Sequence, residues 1–397
     1  MIYKVAVIGQ GYVGLPLSLA AANAGHNVIG VDIDLNRIEL LNSGISPIED
    51  ISSDQVLKMI SEKKYIATNS FGLLYDCDII CICVPTPLGE DRRPDLGPLE
   101  QALTEVGKYL QEKTLVIVES TIQPGTTRNI LIPILERVSG LSRDKFFTAY
   151  SPERIDPRNS QWNITNTPKL VAGFNEPSAD IASDFYRSFV DRLEIIGSLE
   201  VAETAKLLEN SFRLINISFI NELAIFCQKL GINVLDVVNA AATKPYGFMP
   251  FYPGIGIGGH CIPVDPLYLS QKAKEMGVSS KLIDLADEIN LNMPKYFVNR
   301  AEDILGTLKN KRIIVVGVAY KPNVADVRET PVEALILGLR QKGAIVVWND
   351  DLVKEWKDEK STALSEGFDL AVLATFHDNT NLTKLGSVDI LSTKSFF

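Results

Sequence analysis

The sequence predicts an α/β protein in which two doubly wound parallel-sheet units are joined by a long central helical segment. Three observations carry this expectation. Short Val/Ile-rich runs alternate with helical stretches over residues 1–198. From Leu199 to about Lys229 a helical pattern runs without Pro or Gly, and at Lys311 the strand–helix rhythm restarts. The runs are continuous rather than alternating, as strands buried on both faces of a parallel sheet require. We set the domain boundaries at 1–198, 199–302 and 303–397.

The first unit's strand runs are Val5–Ile8, Val28–Asp32, Ile79–Val84, Leu115–Glu119, Phe146–Tyr150, Leu170–Ala172 and Glu194–Ile196. Segments between them, such as Leu15–Ala24 and Thr126–Val138, carry helical periodicity. A second central helix covers Val234–Ala242. A Gly/Pro-rich loop, Thr243–Pro263, follows, and structureless loops of that length are more often functional than not. Helices Pro266–Met276 and Ser280–Arg300 close the centre. In the last unit, Arg312–Gly317 reads as a strand ending in Gly, followed by a helix at Thr330–Lys342 and strands at Ala344–Trp348 and Leu370–Ala374.

Composition bounds the function. The 397 residues are 46% hydrophobic and 22% charged, which excludes disordered, collagen-like and coiled-coil readings. With 39 Lys plus Arg against 49 Asp plus Glu, the net charge of −10 argues against nucleic acid or an anionic membrane as partner. No apolar stretch reaches the roughly 18–20 residues of a membrane span. Met1-Ile2-Tyr3-Lys4-Val5 leads straight into a strand, leaving no room for a signal peptide. Five unevenly spaced Cys fit a reducing cytoplasm better than a disulfide scaffold. Three His and no finger-like Cys/His spacing predict no metal site.

Gly9-Gln10-Gly11-Tyr12-Val13-Gly14 follows a strand and opens a helix, the context of a dinucleotide-binding turn. The first Gly makes the tight turn, the second admits a pyrophosphate, and the third permits close helix–strand packing. Asp32 ends the second strand, 18 residues past Gly14. A carboxylate there accepts from a ribose 2′-hydroxyl and repels a 2′-phosphate, so NAD is favoured over NADP. Val84-Pro85-Thr86-Pro87, Ser120-Thr121 and Ser151-Pro152-Glu153-Arg154 each follow a strand at the sheet's carboxyl edge, where doubly wound sheets bind ligands. Cys261, between the glycines of the long loop and a helix start, suits either a thiolate nucleophile or a packed structural thiol. Cys77, Cys81, Cys83 and Cys227 read as small core residues. Lys206 and Asn210 share a helix face; taken by themselves, they fit a solvated face most simply.

Together, GQGYVGLP, VPTP, ESTIQPGTT, SPERIDP, AKLLEN, FYPGIGIGGHCIPVDP and GVAYKPNVADVRETP resemble, in order and over essentially the whole chain, the nucleotide-sugar 6-dehydrogenase family. That family includes UDP-glucose, GDP-mannose and UDP-N-acetylhexosamine dehydrogenases. The resemblance implies two Rossmann-like domains, the first for NAD and the last for the nucleotide-sugar, with a helical dimerisation domain between them. It implies a four-electron oxidation of the sugar C6 alcohol to a carboxylate, with two NAD used in succession. Cys261 matches the family's nucleophile, which carries a thiohemiacetal and then a thioester. Lys206 and Asn210 match the oxyanion-stabilising pair, and Asp265, Glu153 and Thr121 match positions tied to proton transfer and thioester hydrolysis.

The resemblance assigns to the cofactor Gly9, Gly11, Tyr12, Val13, Gly14, Asp32, Arg37, Pro85, Thr86, Ser120, Thr121 and Arg328. To the substrate it assigns Glu153, Arg154, Lys206, Asn210, Arg213, Phe251, Tyr252, Gly254, Gly258 and Lys321. SPERIDP, FMPFYPG and GGHCIPVDP look most like the UDP-N-acetylglucosamine branch, with UDP-N-acetylmannosamine the nearest rival. His260 beside the thiol reads as a branch marker. Family members commonly carry a further C-terminal strand and a short motif with Asp and Arg-Asn, so the ending at Asp389–Phe397 predicts weaker contacts to the base. A β-hydroxyacid dehydrogenase needs no loop Cys and no third unit, and a non-catalytic NAD or sugar-nucleotide binder needs no nucleophile. The expected protein is a cytoplasmic, at least dimeric dehydrogenase of UDP-sugars.

Overall fold

The computed structural model describes residues 1–49, 51–156, 159 and 161–392. The chain divides into two compact units, Met1–Leu208 and Glu209–Phe397. The first holds strands β1 (Lys4–Ile8), β2 (Asn27–Val31), β3 (Tyr65–Thr68), β4 (Ile79–Ile82), β5 (Leu115–Val118), β6 (Phe147–Tyr150), β7 (Lys169–Gly173) and β8 (Leu193–Ile195). Helices α1 (Gly14–Asn23), α2 (Leu35–Asn42), α3 (Ser53–Ser61), α4 (Gly97–Tyr109), α5 (Ile132–Ser139) and α6 (Glu176–Tyr186) connect them. The eight strands form one sheet in the order β3-β2-β1-β4-β5-β6-β7-β8. Its first six positions have the doubly wound order, with the topological switch between β1 and β4.

The central strands are apolar throughout because both faces are covered. Val5, Val7, Ile79 and Cys81 enter one core layer, while Ala6, Ile8, Ile80 and Ile82 enter the other. Two features depart from the sequence expectation. Edge strand β3 was not anticipated; its residues alternate buried and exposed, so no continuous apolar run marks it. The sheet is also not wholly parallel, because β7 runs antiparallel to β6. A parallel return needs a crossover, usually helical. The described residues of segment 151–168 contain no helix, so the chain turns back along the same edge.

Helix α7 (Leu199–Leu230) spans the division between the units. The second unit continues with α8 (Val234–Ala242), α9 (Asp265–Glu275), α10 (Lys281–Leu305), β9 (Arg312–Val316), α11 (Val332–Gln341), β10 (Ile345–Asn349), the hairpin β11 (Glu355–Trp356) and β12 (Glu359–Lys360), β13 (Leu370–Leu373) and β14 (Asp389–Ser392). Its parallel sheet has the order β10-β9-β13-β14. The sequence reading stopped its strands at Ala374, but β14 pairs with β13 and completes the edge. Ala224 and Cys227 of α7, Phe297 of α10, Leu335 of α11 and Ile313 of β9 fill one common core. The helical segment and the second sheet therefore pack as one body.

Candidate active site

The turn after β1 is built for a dinucleotide. Gly9 has φ +90°, and a Cβ on Gly14 would lie 1.8 Å from the Gly9 carbonyl oxygen, so neither position accepts a side chain. Gly11 faces open space, Tyr12 is exposed, and no side chain caps the start of α1 at Val13. The helix N-terminus thus keeps its N–H groups and dipole available to an anion. Gln10, fully buried, locks the turn: its amide donates to the Val7 carbonyl at 2.9 Å and its Oε1 accepts from Tyr65 at 2.8 Å. The residues present fit NAD. Gly14→Ala is expected to weaken NAD binding at least tenfold and lower Tm by roughly 2–10 °C, since backbone must move to admit the methyl. A cofactor titration within twofold of the parent would contradict this.

Asp32 stands where a ribose acceptor is needed. Its Oδ2 accepts from Gln10 N–H at 2.7 Å and from the Arg37 guanidinium at 2.9 Å, while Oδ1 accepts from Asp34 N–H at 2.9 Å. A carboxylate offers about four acceptor positions, so Oδ1 retains one for a ribose hydroxyl. Arg37, assigned to the cofactor, therefore orients Asp32. The second sheet has a matching carboxylate, Asp350 after β10, but it is saturated. It accepts from the N–H groups of Val318, Ala319, Leu352 and Val353 and pairs with His377 at 2.9 Å. The dinucleotide fingerprint belongs to the first unit.

Along the same sheet edge, Ser120 donates to the Val84 carbonyl at 2.7 Å, tying the end of β5 to the end of β4. Thr86 is buried, Pro85 exposed and Thr121 half-buried. Glu153 Oε1 accepts from the N–H groups of Arg154 and Ile155, each at 2.6 Å, and Arg154 donates to the Pro168 carbonyl at 2.7 Å. Glu203 of α7 was missed by the sequence reading. Fully buried, it accepts from Gly125 N–H at 2.5 Å and Thr127 N–H at 2.9 Å, fixing the loop that carries Thr121 to the helix that carries Lys206.

In the second unit, Asn210 Nδ2 donates to Asp265 Oδ2 at 2.6 Å, with both residues buried. Lys206 lies one turn before Asn210 on α7 and is also buried, so the solvated-face reading of this pair fails. The Cys261 carbonyl accepts from Val264 N–H at 3.2 Å and Asp265 N–H at 2.8 Å, which sets Cys261 in the turn entering α9. Cys261 is the exposed cysteine. Burial pushes the Cys77 thiol up to about 11 and those of Cys81 and Cys83 well above their ordinary value, so these three resist ionisation. Burial first, and the Arg328 charge second, hold His260 below its ordinary value, leaving a neutral imidazole beside Cys261.

The glycine loop is pinned by two buried asparagines that sequence reasoning did not single out. Asn221 of α7 accepts from Gly254 N–H at 2.8 Å, and Asn290 of α10 accepts from Ile257 N–H at 2.6 Å. Asn221 follows Asn210 by three helical turns, a spacing that could have flagged it. A Cβ on Gly258 would meet Tyr320 Cβ at 2.7 Å, and Gly259 N–H donates to the Arg328 carbonyl at 3.0 Å, so segment 320–329 backs this loop. Phe251 packs edge-on to Phe212 at 5.7 Å, and the Tyr252 hydroxyl reaches Asn239 at 3.4 Å. Arg213 is exposed, Lys321 half-buried, and Arg328 bonded to Asp326 at 2.5–3.0 Å.

Comparison with known proteins fixes the class. Models of the UDP-glucose/GDP-mannose dehydrogenase family match in order: the NAD binding domain at residues 3–190, the central domain at 200–292 and the UDP binding domain at 314–393. UDP-N-acetyl-D-glucosamine 6-dehydrogenase of Pseudomonas aeruginosa is 35% identical over 407 residues, covering 97% of this chain and 94% of the relative. UDP-N-acetyl-D-mannosamine dehydrogenase of Pyrococcus horikoshii is 35% identical over 380 residues, covering 94% of this chain and 89% of the relative. The solved structure of UDP-D-ManNAc dehydrogenase from Pyrococcus horikoshii superposes with TM-score 0.92 at 32% identity, covering 99% of this chain and 96% of that one. The fold and these matches define an NAD-dependent oxidoreductase acting on nucleotide sugars. The chain belongs to the UDP-glucose/GDP-mannose dehydrogenase family, and its activity is that of a UDP-sugar 6-dehydrogenase. Among the described residues, no helix is long and apolar enough to cross a membrane, and no group of three or more His, Cys, Asp or Glu could hold a metal ion.

Proposed function

We propose that the substrate is a UDP-N-acetylhexosamine, UDP-N-acetylglucosamine first, oxidised at C6 from alcohol to carboxylate. The observation that supports this chemistry best is the buried Asn210–Asp265 bond at 2.6 Å, beside the turn that presents Cys261. NAD, when bound at Gly9–Gly14 and Asp32, supplies a hydride acceptor. In this reading one of Glu153, Asp265 or Thr121, directly or through water, takes the C6 hydroxyl proton as the alcohol becomes an aldehyde. The Cys261 sulfur then adds to C6, and Lys206 with the second N–H of the Asn210 amide meets the oxyanion. Loss of a second hydride converts the thiohemiacetal to a thioester. Water, deprotonated by Asp265 or Glu153, displaces the Cys261 thiolate and releases the uronic acid.

The chemistry requires Cys261 as a free thiol(ate), which is why we assign the enzyme to a reducing compartment, the cytoplasm. The sugar preference rests on likeness to the P. aeruginosa relative, and the mannosamine relatives are as close. A panel of UDP-GlcNAc, UDP-ManNAc, UDP-glucose and GDP-mannose is expected to give two NADH per sugar, fastest with UDP-GlcNAc. One NADH per sugar with free aldehyde would sink the thioester route.

We also propose a homodimer built on α7. Val201, Leu208, Phe212, Phe219, Phe226 and Leu230 are all exposed. At about 100° per residue they fall within a sector of roughly 40° on one helix face. An apolar stripe of that length marks an interface, here with a second copy. Light scattering should give twice the chain mass, and Phe219→Glu with Phe226→Glu should halve it. A wild-type monomer would refute the assignment.

A further inference from the structure

We propose that Lys169 is a positioning residue for the oxidation, holding Glu153 oriented from within the core of the first unit. The inference rests on the assignment of Glu153 to proton transfer. Its basis is the one antiparallel junction of the sheet. In an all-parallel sheet the first residue of a strand lies at the edge opposite the ligand-binding one. Because β7 is reversed, its first residue arrives at the carboxyl edge instead. The β6–β7 register pairs Ala149 with Gly173 and Tyr150 with Ala172. Carried three residues further, it sets Glu153 opposite Lys169. Two hydrogen bonds support that continuation, from the Ser151 hydroxyl to the Leu170 carbonyl and from Arg154 to the Pro168 carbonyl, each 2.7 Å.

Lys169 Nζ, 5% exposed as a residue, lies 2.9 Å from Glu119 Oε2 and 3.8 Å from Glu153 Oε2. Glu119 Oε1 accepts from the Tyr186 hydroxyl at 2.5 Å, and the Lys169 ammonium sits 5.0 Å from the centre of the Tyr186 ring. Backbone N–H groups hold Glu153 Oε1, so Oε2 is the oxygen turned toward the ammonium. One cation thus serves two carboxylates. Burial works to lower the Lys169 pKa, but the Glu119 and Glu153 charges outweigh it and keep the ammonium charged. Cys81 and Cys83 of the β4 segment and Tyr186 of α6 also face this cluster, and burial keeps all three protonated. The recess shared by Glu153, Thr167 and Lys169 measures about 10 Å³, far too small for a sugar ring. Lys169 acts through Glu153 rather than on substrate.

The test follows kcat and KM at neutral pH with the fastest nucleotide sugar of the panel above. Lys169→Met strands the buried Glu119 and risks misfolding, so Lys169→Met/Glu119→Gln removes the ion pair as a unit. Both are expected to lower kcat about tenfold, because Glu153 Oε2 loses the ammonium that orients it. KM for NAD should hold, and Lys169→Arg should restore most of the rate. Glu119→Gln alone leaves the cation wholly to Glu153, so its kcat should hold. A folded, NAD-binding double variant with the parental kcat overturns the inference if Glu153→Gln is impaired. A fully active Glu153→Gln instead removes the assignment of Glu153, and the inference with it.

Discussion

Replacing Cys261 by alanine is expected to abolish net oxidation to the acid, lowering kcat by on the order of 10³-fold or more, as loss of a covalent nucleophile does. The first oxidation needs no nucleophile. The second needs C6 to carry a group that makes it a hydride donor again, and sulfur addition supplies one. Cys261→Ser keeps the shape but offers a hydroxyl with far less anion at neutral pH, so it should turn over only slightly better than alanine. NAD affinity should be unchanged in both, because Cys261 is not among the residues assigned to the cofactor. The remaining cysteines give an internal control. Cys77, Cys81 and Cys227 are buried, and burial raises the thiols of Cys77, Cys81 and Cys83. Iodoacetamide should therefore alkylate Cys261 first, with activity lost in step with one label per chain. Turnover within tenfold of the parent in Cys261→Ala, or full activity after complete labelling, would mean that the thiol is structural.

The parts of the molecule legible in the sequence were those whose physics is local. Strands buried on both faces must be apolar at every position, so β1, β4 and β5 are visible as runs. A phosphate-binding turn needs glycine at fixed spacing, and Asp32 follows from strand length. Edge strands β3 and β14 bury only part of their residues and leave no such run. Strand direction leaves no mark in composition either, so the reversal of β7 was invisible. With it went the pairing of Lys169 with Glu119, 50 residues away. Glu203 and Asn290 were missed for the same reason. Each is a buried polar residue whose meaning lies in a backbone N–H at least 33 residues distant. In an amphipathic helix such a residue reads as solvated until its partner is known.

Asn210 makes the second large prediction, because its two amide N–H groups have separate duties. One donates to Asp265 at 2.6 Å, and the other is free to meet an oxyanion in the proposed mechanism. Asn210→Ala removes both. Loss of one oxyanion donor costs about 2.7–4 kcal/mol in the transition state, or about 10²–10³ in kcat, with little change in KM because the ground state lacks that charge. Loss of the other leaves the buried Asp265 carboxylate short of a partner, at about 1–3 kcal/mol of stability. Asn210→Asp separates the two effects. It keeps the shape but sets a second carboxylate against Asp265, and two carboxylates at that distance cannot both ionise in a buried site. One of them must then have a folded-state pKa above its unfolded value, so the variant's added instability is present at neutral pH and shrinks as pH falls toward about 4. The thermal deficit of Asn210→Asp relative to the parent should therefore narrow on acidification, and by more than that of Asn210→Ala, which takes one donor from Asp265 without adding a second charge. Asn210→Ala with kcat within threefold of the parent would remove Asn210 from the oxyanion site. An Asn210→Asp deficit that is flat with pH would show that Asp265 is not its buried partner in solution.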